Sequence, residues 1–348
     1  MIKVGIIGAT GYAGVELVRL LSRHSEVEVI GIVSHSFCDR KVSDIYPNLY
    51  EITELICSNL ENFMNSKFME CDVIFAALPH GMSEDIAFNC DKEGKVFIDI
   101  GADFRLLDED KYREWYGLNY KFSELHVKAQ YGLCEIYREK IKKSRIIGNP
   151  GCYPTSIILA MVPALENNLV QLDSIIIDSK SGLTGAGREL FLGSHYTECN
   201  ESMMAYKIGS HRHIPEIEQE LSRAAGKEVV VSFTPHLIPI NRGILSTIYC
   251  NLSSEVNLDE LINRYKDYYK NDKFIRVLDK GKNAEIKNVR GSNYCDISLN
   301  IDARTNRLII VSVIDNMVKG AAGQAIQNMN LIFGLPEDTG LNYIPIAF

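Results

Sequence analysis

The sequence has no uninterrupted apolar run of the roughly 18 to 20 residues that a membrane-spanning helix needs. Its opening stretch, MIKVGIIGATGYAG, has no signal-peptide cleavage pattern. It also lacks an excess of basic residues, since 37 Lys and Arg against 45 Asp and Glu give a net charge of -8. We therefore expect a protein that binds neither membranes nor nucleic acid and whose main ligand is a small molecule.

The nine cysteines show no CxxC pair and no zinc-ligand spacing. An odd number of cysteines without a disulfide framework is typical of a reducing compartment. The sequence thus predicts free thiols, a cytoplasmic location and no metal.

Apolar patterns divide the chain into two regions. Strands are predicted at 2–7, 27–33, 73–77, 96–100 and 145–148, with a first helix at 13–22. Helices between buried strands indicate parallel pairing, so we expect an α/β fold with a doubly wound N-terminal sheet.

The pattern changes after Cys152. A helix at 155–166 precedes predicted strands at 174–179, 228–234, 244–251, 295–301 and 307–314. The short polar turn between the last two favours an antiparallel hairpin and an α+β domain. A small-residue-rich helix at 315–333 is expected to pack on the first domain. The predicted domains are 1–151 with 317–348, and 152–316.

Gly8, Gly11 and Gly14 follow the first strand and open the first helix. This spacing permits a tight turn and the approach of a pyrophosphate to a helix N-terminus, so it predicts dinucleotide binding. The second strand is not followed by the acidic residue that would bind a ribose 2′-hydroxyl. It is followed by polar and basic candidates for a 2′-phosphate, namely Ser34, Ser36, Arg40 and Lys41. We expect NADP rather than NAD, the alternative being a solvated polar loop.

The stretch GNPGCYPTS places Cys152 between a glycine turn and a helix. Unpaired N–H groups at a helix entrance favour the thiolate, so Cys152 is a candidate nucleophile, although a cysteine is more often a core residue. A thiolate needs an acid/base partner, and His211 and His213 flank an arginine before another helix. Metal binding by this His-x-His pair would lack a third ligand nearby. Three arginines in turn-rich segments are candidates for anion binding: Arg105, Arg188 and Arg242.

Together and in this order, seven motifs resemble the N-acetyl-gamma-glutamyl-phosphate reductase family: GATGYAGVELVRLL, ALPHG, ADFR, NPGCYPT, SGLTGAGR, HRHIPEIEQ and DNMVKGAAGQAIQNMN. The resemblance implies an NADP-binding Rossmann domain and an α+β domain like that of aspartate-semialdehyde and glyceraldehyde-3-phosphate dehydrogenases. It implies an oxidoreductase of arginine biosynthesis that reduces N-acetyl-L-glutamyl 5-phosphate to the semialdehyde and phosphate through a Cys152 thioester.

The resemblance also implies roles for individual residues. His213, which is nearer the helix start than His211, is the preferred acid/base, with His211 as the substitute. Arg105 and Asn149 would hold the phosphate, with Arg188 as a further contact, and Arg212 would meet the carboxylate. Besides the three glycines, Thr10 and Tyr12 of the glycine loop are expected to contact the cofactor. Further cofactor contacts are expected from three other motifs, at Pro79, Ser181, Gly182 and Asn316. A homodimer or homotetramer would form through the sheet of the second domain.

One residue departs from the family pattern. The usual YGLPE segment carries Cys134 in place of proline. We expect no catalytic role for Cys134, and Cys134→Pro should retain activity.

Two other functions remain open at this point. A sister reductase of lysine or arginine biosynthesis would share these motifs and act on a carrier-linked acyl phosphate. A catalytically silent dinucleotide sensor would need neither Cys152 nor the histidine pair.

Overall fold

The computed structural model describes residues 1–346, and the chain forms two compact units. The first comprises Met1–Pro150 and Ala321–Asn342, and the second comprises Gly151–Gly320 and the residues from Tyr343 on. The first unit thus ends at Pro150, where residue 151 was predicted. It resumes at Ala321, where residue 317 was predicted. The residues from Tyr343 were expected in the first unit but group with the second, where the Ile346 N–H donates to the Arg290 carbonyl at 3.1 Å. Between residues 1 and 346, no helix is both long enough and apolar enough to cross a membrane.

The first unit is a seven-stranded, all-parallel sheet with strand order β3-β2-β1-β4-β5-β7-β6. Its strands are β1 (Ile2–Ile7), β2 (Val27–Val33), β3 (Cys57–Ser58), β4 (Val73–Ala76), β5 (Val96–Asp99), β6 (Gln130–Tyr131) and β7 (Ile146–Gly148). Its helices are α1 (Tyr12–Leu21), α2 (Val42–Ile45), α3 (Leu60–Ser66), α4 (Glu84–Lys92), α5 (Glu109–Tyr116), α6 (Ser123–Lys128), α7 (Cys134–Ile141) and, from the end of the chain, α12 (Gly323–Ile332).

Strands β4 and β5, in the middle of this sheet, are buried along their whole length, as their apolar runs predict. The doubly wound arrangement predicted from the sequence is confirmed. Because all strands are parallel, their carboxyl ends lie at one edge, where the loops that follow them form the binding edge of such a sheet.

The second unit has a mixed seven-stranded sheet with strand order β12-β13-β14-β11-β8-β10-β9. Its strands are β8 (Ile176–Ser181), β9 (Met204–Ala205), β10 (Ser232–Leu237), β11 (Ile244–Asn251), β12 (Ile275–Val277), β13 (Cys295–Asp302) and β14 (Arg307–Ile314). Its helices are α8 (Cys152–Glu166), α9 (Tyr196–Cys199), α10 (Ile214–Ala225) and α11 (Leu258–Tyr268). The predicted hairpin is confirmed, since β13 and β14 pair antiparallel along eight residues each.

Helix α8 is buried from Tyr153 to Leu165 and packs on one face of this sheet. Small side chains allow it to lie close: Ser156 Oγ bonds the hydroxyls of Ser246 and Ser312, each at 3.1 Å, and Ser246 also bonds Ser179 at 2.8 Å. These bonds satisfy buried hydroxyls and seat the helix on β8, β11 and β14.

The opposite face of the sheet is partly covered. Ala284 and Val289 pack there with Leu245, Val311 and Val313. Further along the same strands, Ile176, Tyr249 and Ile309 lie side by side on β8, β11 and β14. Ile176 is 45% exposed and the other two are partly exposed. We refer to these three residues as the open patch.

Candidate active site

Cys152 is the first residue of α8, and the extended Gly151 caps the helix. The sequence predicted the helix only from residue 155, so the thiol lies nearer to it than expected. The Thr155 N–H and hydroxyl both donate to the Gly151 carbonyl at 2.9 Å, which ties the first turn together. A partly exposed thiol at this position faces the positive end of the helix dipole.

Most of the other cysteines are core residues. Six are buried: Cys57, Cys71, Cys90, Cys134, Cys250 and Cys295. Burial raises the pKa of Cys57 and Cys71 to about 11 and that of Cys250 to about 12. These thiols are therefore protonated at physiological pH and are unreactive as nucleophiles.

His213 lies against the turn that precedes Cys152. A β-carbon placed on Gly151 would be 2.5 Å from His213 Nε2, so only a glycine leaves room for the imidazole. His213 caps α10, whose first turn contains Pro215 and Glu216. The histidine predicted from the HRH segment and the predicted nucleophile are thus next to each other in the same unit.

His211 is held differently. It is 9% exposed, and its Nδ1 accepts the His213 backbone N–H at 3.1 Å. Burial, with the charges of Lys207 and Arg212, lowers the pKa of His211 to about 4. His211 is therefore neutral at physiological pH, with one ring nitrogen already bonded.

Glu216 is a residue to which sequence reasoning assigned no role. Its carboxylate is fully buried and accepts the Gly151 N–H at 2.8 Å. The bond ties α10 to the turn before Cys152. The only sequence signal was an acidic residue in the first turn of a helix, which is commonly a response to the helix dipole.

Asn316 is also buried in the second unit. Its Oδ1 accepts the Gly243 N–H at 2.7 Å and its Nδ2 donates to the Thr184 hydroxyl at 3.0 Å. Thr184 follows Ser181 and Gly182, whose segment the sequence assigned to the cofactor. The structure brings Asn316 and this segment together.

The glycine loop of the first unit has the geometry that a pyrophosphate needs. Gly8 has a φ of +83°, and a β-carbon on Gly14 would lie 2.1 Å from the Gly8 carbonyl oxygen. Gly11 caps α1, which begins at Tyr12, so the helix N-terminus opens at the loop. The residues present therefore fit a dinucleotide phosphate at this position.

The four residues after β2 that were predicted to contact a 2′-phosphate differ in their exposure and in their bonding partners. Ser34 is buried and its hydroxyl lies 2.7 Å from that of Thr10. Lys41 is exposed and paired with Glu54. Ser36 and Arg40 are exposed, and the Arg40 guanidinium lies 5.7 Å from the Phe37 ring centroid. Of the four predicted phosphate contacts, Ser36, Arg40 and Lys41 are exposed, and Lys41 is paired with a carboxylate.

Two buried carboxylates hold the loop that contains the exposed Pro79. Asp103 accepts the N–H groups of Gly81 and Ser83 at 2.7 and 3.0 Å, and Asp99 accepts the Ser83 hydroxyl at 2.8 Å. Burial, and then the charge of Asp103, raise the pKa of Asp99 to about 7. The sequence reading missed this pair, because each aspartate by itself reads as the polar end of a strand or loop.

The predicted phosphate contacts Arg105 and Asn149 are both buried in the first unit. Arg105 Nε donates to the Asn149 carbonyl at 2.8 Å and its NH2 group donates to the Ile100 carbonyl at 2.8 Å. Asn149 Nδ2 donates to the Ala321 carbonyl, and Asn149 Oδ1 accepts from Asn328, each at 3.1 Å. Both polar atoms of the Asn149 side chain are thus already bonded within the first unit, and the side chain is fully buried. Arg188 and Arg212 are exposed.

Cys134 begins α7, and its thiol donates to Asn328 Oδ1 at 3.1 Å. It is fully buried. The residue that departs from the family pattern therefore has a packing and hydrogen-bonding role in the first unit.

No cluster of three or more metal-ligating side chains occurs in the part of the chain that the structure describes. The HRH histidines are instead engaged with one another and with Gly151.

Comparisons with known proteins cover the whole chain. Two family models match: a semialdehyde dehydrogenase NAD binding domain over residues 3–144 and a semialdehyde dehydrogenase dimerisation domain over residues 152–316. The N-acetyl-gamma-glutamyl-phosphate reductases of Brachyspira hyodysenteriae and Clostridium botulinum are each 55% identical, with 100% of both chains covered.

Solved structures with the same fold include two aspartate semialdehyde dehydrogenases. The Vibrio cholerae enzyme II, in complex with ASA, has a TM-score of 0.73 at 16% identity and covers 96% of this chain and 98% of its own. The Candida albicans enzyme with NADP has a TM-score of 0.67 at 16% identity, with the same two coverages.

Proposed function

The chain belongs to the semialdehyde dehydrogenase family, among its N-acetyl-gamma-glutamyl-phosphate reductases, and from that premise we propose how its residues carry out the reaction. The enzyme reduces N-acetyl-L-glutamyl 5-phosphate to N-acetyl-L-glutamate 5-semialdehyde and phosphate in arginine biosynthesis. The relatives carry the name of this enzyme, so the carrier-linked substrate is not favoured.

The observation that carries the mechanism is the position of Cys152 at the start of α8 with the His213 imidazole against Gly151. In the proposed first step the thiolate of Cys152 attacks the acyl carbon, the carbon–oxygen bond to phosphate breaks, and phosphate leaves with that electron pair. A thioester remains. It is electrophilic enough to accept hydride, as the carboxylate is not, and the reaction is divided into two easier steps.

The bound nicotinamide cofactor supplies the hydride. His213 donates a proton to the oxygen of the resulting thiohemiacetal and then takes it back as the carbon–sulfur bond breaks, which releases the aldehyde and restores the thiolate. We assign this role to His213 rather than His211, because His211 is neutral, buried and bonded through Nδ1.

Gly8, Gly11 and Gly14, with Thr10 and Tyr12, would hold the pyrophosphate at the start of α1. Ser36 and Arg40 would select NADP by contact with the 2′-phosphate, since both are exposed in the segment after β2. Pro79, Ser181, Gly182 and Asn316 are further proposed cofactor contacts.

Substrate anions would be bound mainly by arginines. The exposed Arg212 is proposed to meet the α-carboxylate, and Arg188 is proposed to meet the phosphate. Arg105 is tied to two backbone carbonyls. We propose that Arg105 and Asn149 act on the phosphate mainly by holding the loop from Ile100 to Arg105 beside the end of β7.

We propose that two copies of the chain meet through the open patch, as a homodimer or as half of a homotetramer. Ile176, Tyr249 and Ile309 form a partly exposed apolar row on the sheet of the second unit. The matching family model for this region is a dimerisation domain.

The free thiols support a reducing, cytoplasmic location.

The decisive experiment measures NADP-dependent oxidation of the semialdehyde in phosphate for Cys152→Ser. We expect activity to fall by at least about 10³-fold, because the serine hydroxyl is a far weaker nucleophile than a thiolate. Cys199→Ser, at another half-buried thiol in α9, serves as the matched control and should keep full activity. Activity that persisted in Cys152→Ser would contradict the mechanism.

A second comparison separates the two histidines. His213→Asn should abolish turnover, whereas His211→Asn should reduce it less. The reverse result would transfer the acid/base role to His211.

A further inference from the structure

A chain of polar groups runs from His213 into the interior of the second unit. The His213 N–H donates to His211 Nδ1 at 3.1 Å, and His211 Nε2 lies 3.4 Å from the Tyr206 hydroxyl oxygen. The Tyr206 hydroxyl donates to that of Tyr153 at 3.3 Å, and the Tyr153 hydroxyl donates to the His236 carbonyl at 3.3 Å. Each of the three side chains thus bonds the next.

The groups at the two ends decide which partner donates in each hydrogen bond of this chain of polar groups. His211 Nδ1 accepts an N–H, so in the neutral ring the proton is on Nε2. The Tyr206 oxygen is then the acceptor for that proton, and the Tyr206 hydroxyl must point to Tyr153. At the far end the His236 carbonyl can only accept. One arrangement of protons satisfies all four links.

The surroundings make this arrangement costly to break. His211 is 9% exposed and Tyr153 is 2% exposed. The rings of Tyr153, Tyr206 and Phe233 pack around His211, each with its centroid 5.5 Å away. The His211 N–H lies in a largely buried setting, so the loss of its acceptor would be costly.

The backbone places Tyr206 for this contact. It follows the edge strand β9, which pairs with β10, and its N–H donates to the Pro235 carbonyl at 3.1 Å. His236, at the other end of the chain, is on the same strand. The largely exposed segment from 188 to 205 is therefore followed by one residue, Tyr206, that is anchored beside the histidine pair.

We propose that Tyr206 is a positioning residue, whose hydroxyl keeps His211 in the Nε2-protonated form so that His211 holds the His213 backbone and its imidazole in place. This proposal rests on the acid/base role proposed for His213. Burial, with the charges of Lys207 and Arg212, lowers the pKa of His211, so the ring is in the neutral state that the chain requires. Tyr206 itself does not touch the reacting atoms in this role.

The test is Tyr206→Phe, which removes one hydroxyl and keeps the ring. We expect kcat to fall about tenfold, as loss of one buried hydrogen bond implies, with KM for the semialdehyde and for NADP within about twofold of the wild-type values. Removing the acceptor of the His211 Nε2–H leaves burial and the charges of Lys207 and Arg212 in place, so the pKa of His211 stays low and the acid limb of kcat/KM should not move upward. Tyr196→Phe is the matched control, since Tyr196 lies in the same segment and is 76% exposed.

Ring 15N spectra give a readout that needs no variant. In the wild-type enzyme they should show His211 protonated at Nε2, and in Tyr206→Phe they should show a mixture of the two ring forms. The proposal is overturned if wild-type His211 is protonated at Nδ1. It is also overturned if Tyr206→Phe matches Tyr196→Phe in kcat and spectrum.

The outcome for Tyr206 is distinguishable from that of the proposed mechanism. If His213→Asn keeps its activity, the acid/base assignment fails whatever Tyr206→Phe shows. If His213→Asn is inactive and Tyr206→Phe behaves as wild type, only the positioning role fails. Tyr153→Phe breaks the next link of the chain and should lower kcat in the same way.

Discussion

At the scale of single residues, surroundings distinguish groups of the same chemical type. Cys152 begins a helix, whereas Cys250 lies within a strand with its pKa raised to about 12 by burial. His211 and His213 are two residues apart, yet one is bonded within the core and the other lies against Gly151. Roles follow from these contacts rather than from residue type.

The raised pKa of Asp99 predicts that the free energy of unfolding depends on pH. Its folded pKa is raised to about 7, above the ordinary value of 3.8, so the native state holds a proton that the unfolded chain has lost between these values. The contribution of Asp99 is fully present below about pH 4 and is lost as pH rises through about 7. Urea unfolding of the wild type should thus show a loss of stability between about pH 4 and 7 that Asp99→Asn lacks. An identical slope in both proteins would contradict this.

We expect the exposed Arg40 to decide the preference for NADPH over NADH. Arg40→Ala should raise KM for NADPH about tenfold, because a charged contact to phosphate is lost, and leave KM for NADH unchanged. Arg23→Ala, at another exposed arginine of the first unit, should change neither. Steady-state kinetics with both cofactors measures the effect, and equal changes for the two would exclude a 2′-phosphate contact.

At the scale of elements, the sheet of the second unit places the nucleophile by seating α8. The helix is almost wholly buried, and Ser156 is bonded to hydroxyls on β11 and β14. The N-terminus of α8 therefore depends on the small polar side chains beneath it. Glu216 adds a bond from α10 to the same turn.

Ser246→Val tests this seating. The valine removes a hydroxyl that bonds Ser156 and Ser179 and adds volume under the helix, so we expect a loss of about 1–3 kcal/mol in the free energy of unfolding and reduced turnover. Thermal unfolding and kcat are the measurements. Ser232→Val, at an exposed position of β10, is the control and should have little effect. Unchanged stability in Ser246→Val would show that the network does not hold the helix.

At the scale of the whole molecule, the first unit carries the dinucleotide loop and the second carries the thiol and the histidines. The parallel sheet of the first presents its loops at one edge, whereas the mixed sheet of the second has a helix-covered face and a face that bears the open patch. We propose that the first unit binds the dinucleotide phosphates and that the second carries out the covalent chemistry and self-association.

The open patch predicts the oligomeric state. Tyr249→Glu with Ile309→Glu places two charges in the apolar row and should shift the protein to monomers, because burying unpaired charges is costly. Sedimentation velocity measures the change. Met69→Glu, at a residue of the first unit that is 61% exposed, should leave the assembly intact. Assembly that survived the double substitution would locate the interface elsewhere.

Long periodic elements were predictable from the sequence because their signals are local. Strands β1, β2, β11 and β14 have the predicted bounds, and the glycine loop and HRH segment fall where their spacing indicated. Boundaries that depend on packing were less accurate: α8 begins three residues earlier than predicted. The final helix begins only at Gly323, after a wider turn at Val318–Ala322 that the small residues permit.

The sequence by itself determined the two-region organisation, the family and the residue types available for acyl transfer, since apolar periodicity and motif order are properties of the chain. The tertiary structure alone decided which groups meet. Asp99 and Asp103 share one buried site, and Glu216 reaches Gly151 across 65 positions of sequence. His211 and His213 differ because one ring is enclosed by Tyr153, Tyr206 and Phe233. Burial and long-range contact set protonation and orientation, and neither is encoded in local spacing.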